Sequence, residues 1–111
     1  MAKNAELAAL QRELIGLVNK LSSEQERAQD PEVIIALARE ITEVTHRATL
    51  VGQLLFKQRT AALSGALQKV DEGRAALREA IEEIDRLNGF LRAISRFLTL
   101  VDRVIDAAKL I

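Results

Sequence analysis

Apolar residues along this chain recur at alternating spacings of three and four, the signature of one buried helix face. Leu7, Leu10, Leu14, Leu17 and Leu21 form the first such stripe, widened by Ile15 and Val18. The pattern fades through the polar run Ser22 to Gln29 and predicts a helix over about 5–28. Asp30-Pro31-Glu32 then punctuates the chain. Proline suits the first helical position, where its missing N–H would have no partner, and Asp30 can cap the exposed amides. A second helix, about 31–63, follows on Ile34, Leu37, Ile41, Val44, Ala48, Val51 and Leu55.

The stripe resumes at Leu63, one residue out of step with the expected Ala62, with Ser64-Gly65 beside the slip. A slip next to glycine favours a turn. From Leu63 the alternation runs unbroken through Ala66, Val70, Gly73, Leu77, Ala80, Ile84, Leu87, Leu91, Ile94, Leu98, Val101, Ile105 and Ala108. Asn88-Gly89 resembles a helix stop, yet the phase is kept across it. A glycine inside a helix costs only about 1 kcal/mol relative to alanine. The spacing therefore predicts one long third helix over about 66–110, some 68 Å at 1.5 Å per residue, with a break near 88–89 as the alternative. No segment alternates at the period of a strand. The expected fold is one all-α domain spanning 1–111: an antiparallel bundle of three long helices, four if Gly89 is a turn, with coiled-coil-like heptad seams.

The last segment changes this picture most. Between Phe90 and Ile111, fourteen of 22 residues are apolar, alanine included, and the polar ones form a narrow stripe. Such a helix must touch several others. If it protrudes, Phe90, Ile94, Phe97, Leu100, Val101, Val104, Leu110 and Ile111 make an interface, and Arg92, Arg96 and Arg103 orient whatever docks there. A monomeric alternative buries this helix at the centre of a four-helix bundle.

Composition narrows the chemistry. The chain has 111 residues and no cysteine, tryptophan or tyrosine. Disulfides, thiolate metal sites and cysteine nucleophiles are thereby excluded. Sixteen basic and sixteen acidic side chains leave no net charge, which disfavours nucleic acid as a partner. The balance is uneven along the chain. Residues 71–85 are mainly acidic and 86–103 mainly basic, an alternation that lets neighbouring helices or subunits set register by charge. No secretory signal or uncharged span of membrane length is read, so the expected location is cytoplasmic.

Catalytic candidates are few. Glu43 and His46 have the Glu-x-x-His spacing of carboxylate-bridged metal bundles, but they fall at positions pointing away from the apolar stripe. Glu79, Glu82, Glu83 and Asp85 lie near Arg74, Arg78 and Arg86 at helical spacing, the pattern of a salt-bridged surface rather than an acid–base pair. Ser22, Ser23, Thr42, Thr45 and Thr49 lack a partnering base, and the five glycines stand singly, so no phosphate loop is formed. The sequence reads as a non-enzymatic structural or interaction protein without cofactor or metal. It would self-assemble as a homo-oligomer or dock a helical protein partner through apolar helix faces, chiefly the C-terminal one. The alternatives are a peripheral protein whose C-terminal helix lies on a membrane surface, and a small adaptor, chaperone or inhibitor.

Overall fold

A computed structural model describes residues 2–111. It contains four helices: α1 (Ala5–Arg27), α2 (Pro31–Gly52), α3 (Ala61–Glu82) and α4 (Leu87–Lys109). No strand occurs among the described residues. The bundle measures 46 × 21 × 17 Å.

Each of the first three helices begins at a side chain able to satisfy its free amides. Asn4 Oδ1 accepts from the N–H of Glu6 at 3.0 Å and of Leu7 at 3.2 Å. Asp30 Oδ1 accepts from Glu32 N–H at 2.9 Å, with Pro31 at the first helical position as the sequence predicts. Thr60 Oγ1 accepts from Leu63 N–H at 3.1 Å. Such caps contribute about 1 kcal/mol each and fix where the helix starts.

Two helix boundaries differ from expectation. The second helix stops at Gly52 rather than near 63, and residues 53–60 form the connection. The apolar phase runs on past the helix end because Leu54 and Leu55 turn inward and are buried. Ser64 and Gly65 lie within α3, so the turn precedes the phase slip and ends at the Thr60 cap.

The larger correction concerns the long third helix. The chain breaks at 83–86, ahead of Gly89, which sits in the first turn of α4. No glycine or proline marks this break, and Arg86 makes no capping hydrogen bond. Tertiary burial supplies the reason. Folding back closes Phe90, Phe97 and Val104 into the core at 1%, 2% and 0% exposure. At about 1.5–3 kcal/mol each, that burial exceeds the roughly 0.5–1.5 kcal/mol net for each of the few helical hydrogen bonds lost. The phase survives because both helices face the same core. Ile84, in the turn itself, and Leu87 pack half-buried against it.

The packing is that of two helical hairpins, α1 along α2 and α3 along α4, with α2 touching α4 more lightly. Asn4 N–H donates to Leu55 O at 2.6 Å, Gln11 Nε2 to Ala48 O at 3.5 Å and Gln25 Nε2 to Ile34 O at 3.1 Å. Residue numbers rise on one partner as they fall on the other, so α1 and α2 run in opposite senses. All five leucines of the first stripe are buried, and the buried residues of the four helices form one apolar cluster.

Ion pairs tie the hairpins together. Arg47 of α2 grips Asp102 of α4 through Nε at 2.8 Å and Nη2 at 3.1 Å. Arg74 of α3 reaches Glu13 of α1 at 2.7 Å, and Arg59 reaches Glu6 at 2.9 Å. These pairs use Arg74 and Asp102, the minority charges of the acidic 71–85 and basic 86–103 segments, and none joins those two segments across α3 and α4.

Two substitutions test this packing by urea unfolding. Phe97→Ala is expected to cost about 3–5 kcal/mol, the usual price of emptying a buried aromatic site. Leu110→Ala, at a position 89% exposed, is expected to change stability by less than about 0.5 kcal/mol. Equal effects would contradict a folded-back α4. Separately, Gly65 lies inside α3 with nothing within 4 Å of an added Cβ, so Gly65→Ala is expected to add up to about 1 kcal/mol by helix propensity alone.

Candidate functional site

Folding decides which of the anticipated interface residues remain at the surface. Phe90, Ile94, Phe97, Val101 and Val104 are core residues of this chain, and Leu100 is half-buried. They cover the neighbouring helices of their own bundle and are closed to a second molecule. A membrane surface meets the same obstacle, because the apolar face of α4 is reached only by opening the bundle. Leu110 and Ile111 remain exposed. They share one end of the bundle with the half-exposed Phe56, since Lys57 Nζ donates to Ile111 O at 3.1 Å. No helix among the described residues is long and apolar enough to cross a membrane.

The orienting arginines behave differently. Arg92, Arg96 and Arg103 are all exposed, and among the described residues none has a carboxylate within ion-pair distance. By sequence, Asp102 and Asp106 both interrupt this basic face, and Asp106 stays exposed in the fold. In the fold Asp102 is held by Arg47, whose side chain is only 17% exposed. Donating to the Asp102 carboxylate holds the Arg47 proton more firmly than usual, against the opposing effect of burial, and Glu43 adds to it. Removing one carboxylate from the balance leaves the outside of α4 more basic than its sequence.

Helical spacing sorts the outer faces of the second hairpin. On α4, Arg96, Leu100, Arg103 and Ala107 succeed one another at steps of four, three and four, preceded in the same phase by Gly89 and Ala93. On α3 the same steps give Glu72, Ala76, Glu79 and Glu83. The two stripes flank the α3–α4 seam. Leu100 Cδ1 lies 2.9 Å from where a Cβ on Gly73 would stand, and Ala76, Glu79, Ala80 and Glu83 line one shallow depression with Gly89, Phe90 and Arg92. The result is a face with glutamates along α3, arginines along α4 and mostly small residues between them, with Lys69 exposed beside Glu72.

A second groove runs between α1 and α3, with a volume of about 400 Å³. Its floor is Gly16, Leu17, Leu77, Ile81 and Phe97, and its rim carries Glu13, Lys20, Arg74, Arg78 and Glu82. Each apolar floor side chain is already closed by its own neighbours to below a tenth exposure. An occupant would therefore remove little further apolar surface from water.

The catalytic candidates are dispersed. Glu43 is engaged by Arg47 at 3.0 Å, and His46 points to solvent. Among the described residues no three His, Asp or Glu side chains are placed to share a metal ion. Glu79, Glu82, Glu83 and Asp85 stand exposed around the α3–α4 turn, with Glu83 3.8 Å from Arg86. One carboxyl is perturbed. Burial pushes Glu40 above its ordinary value and the nearby Glu43 adds to the rise, while Arg39 and Arg47 offset part of it. Sequence reasoning missed Glu40 because its half-burial arises only when α2 is packed.

The sign of that shift makes a prediction. A carboxyl raised in the fold disfavours folding while ionised, and the penalty disappears once pH falls below the unfolded value near 4.3. Glu40→Gln is expected to raise the melting temperature at pH 7, with the gain shrinking toward zero near pH 4. A gain that does not vary with pH would contradict the assignment. Comparison with protein-family models, curated proteins and solved structures finds no match for this chain.

Proposed function

We propose that this chain is a non-enzymatic structural protein that works by self-assembly through helix faces outside its core. The observation that carries the reading is the row of Arg92, Arg96 and Arg103. Three guanidinium groups stand exposed on one helix without an ion-pair partner among the described residues, while carboxylates of the neighbouring helix α3 are exposed as well. Segregated charge of this kind selects a partner and its orientation more than it supplies affinity. The partner that carries the complementary pattern at matching spacing is the chain itself. The apolar docking surface expected of α4 is closed in the core, so the reading rests on charge and shape rather than on greasy helix faces.

Sedimentation velocity of the full chain tests this across about two decades of micromolar concentration, at low and high salt. The expected result is a species heavier than the 12.3 kDa chain whose share rises with concentration and falls with salt, because exposed charge pairs are screened. A monomer at every concentration and salt would overturn the proposal.

A further inference from the structure

Resting on the self-assembly reading, we infer that the outer face of the α3–α4 hairpin docks on the same face of a second copy. The two-fold axis runs along the helices, so the basic edge of each α4 lies over the acidic edge of the other copy's α3.

The geometry follows from three observations. First, the two edges carry opposite charge on neighbouring helices. A two-fold parallel to the helix axes exchanges the left and right sides of a face, setting acid over base on both sides at once. A two-fold across the helices would instead set α4 over α4 and arginine over arginine. Isologous pairing requires such self-complementarity, and this face has it in one orientation only.

Second, the spacings match. The Gly73–Leu100 contact fixes the relative level of α3 and α4. Counting outward from it in opposite directions, Glu79 and Glu72 each stand about two residues, or about 3 Å, toward the α3–α4 turn from the levels of Arg96 and Arg103, an offset that long side chains span. Both pairs are seven residues apart, about 10.5 Å along a helix. The axis keeps levels unchanged, so Arg96 meets Glu79 of the second copy and Arg103 meets Glu72 of the second copy. Among the described residues, Glu72 is held within its own chain only by an exposed contact to Lys69 at 3.7 Å, one that exchanges easily.

Third, the ground between the charged edges is low. Ala76, Gly89, Ala93 and Ala107 give helices room to approach closely, and the half-buried Leu100 supplies an apolar centre. Two helices of this length side by side present roughly 600 Å², below the ~800 Å² per partner of a standard interface. The dimer is therefore a weak one, governed by salt.

A charge-swap experiment on the full chain tests the pairing. Arg96→Glu with Arg103→Glu makes both edges acidic, and Glu72→Arg with Glu79→Arg makes both basic. All four side chains are exposed, so thermal melts of both variants should stay close to the parent and confirm folding. By light scattering, the parent is expected to dimerise. Each variant alone should bind itself at least about a hundredfold more weakly, the scale set by reversing several charge pairs. An equimolar mixture should dimerise again, since acidic edges then face basic ones on both sides. A parent dimer that persists in both folded variants would place the interface elsewhere and overturn this inference while leaving self-assembly standing. Failure of the mixture to restore the dimer would also overturn it. A monomeric parent would overturn both.

Discussion

The apolar circumference of α4 constrains the rest of the structure. A helix bearing Phe90, Ile94, Phe97, Val101, Val104 and Ile105 cannot bury all of them against a single neighbour. The chain meets this by breaking at 83–86 and laying α4 against both α3 and α2. That choice turns a 68 Å rod into a bundle 46 Å long. It also sets what the outside can be. Once the apolar face is closed, the outer face of the second hairpin is left to small residues and charged side chains, glutamates along α3 and arginines along α4 among them.

Local signals were legible where they were local. Asp30-Pro31 announces α2, and the leucine stripe of α1 is buried without exception. The all-α class follows from periodicity alone. The breaks were harder because their causes are not local. Gly89 resembled a stop and is part of a helix, while 83–86 carries no stop residue and is the turn. Periodicity could not reveal it, since a hairpin returning to the same core needs the same phase on both sides. At the first break the apolar phase continued through Leu54 and Leu55 because a buried turn and a buried helix face impose the same requirement. Thr60, three residues before the amide it caps, was the available signal for the start of α3.

The surface was half legible. Arg92, Arg96 and Arg103 lie outside, as an orienting role requires. The apolar anchors named with them mostly do not, because the sequence shows that a helix needs cover without showing who supplies it. Asp102 illustrates the same limit. From the sequence it dilutes a basic face, whereas the fold pairs it with Arg47, 55 residues away. Burial around Glu40 likewise exists only once the helices are assembled.

Everything above depends on α4 folding back within its own chain, and one distance tests that directly. With no native cysteine, spin labels at Gln58→Cys and Lys109→Cys can be measured by pulsed electron resonance, with labelled chains diluted in unlabelled protein so that only intramolecular pairs report. The contact of Lys57 with Ile111 predicts a separation of no more than about 25 Å once label arms are allowed for, against the ~68 Å length of an unbroken helix over 66–110. A distance near the longer value would contradict the folded-back helix, and with it the closed core and the charged face built on it.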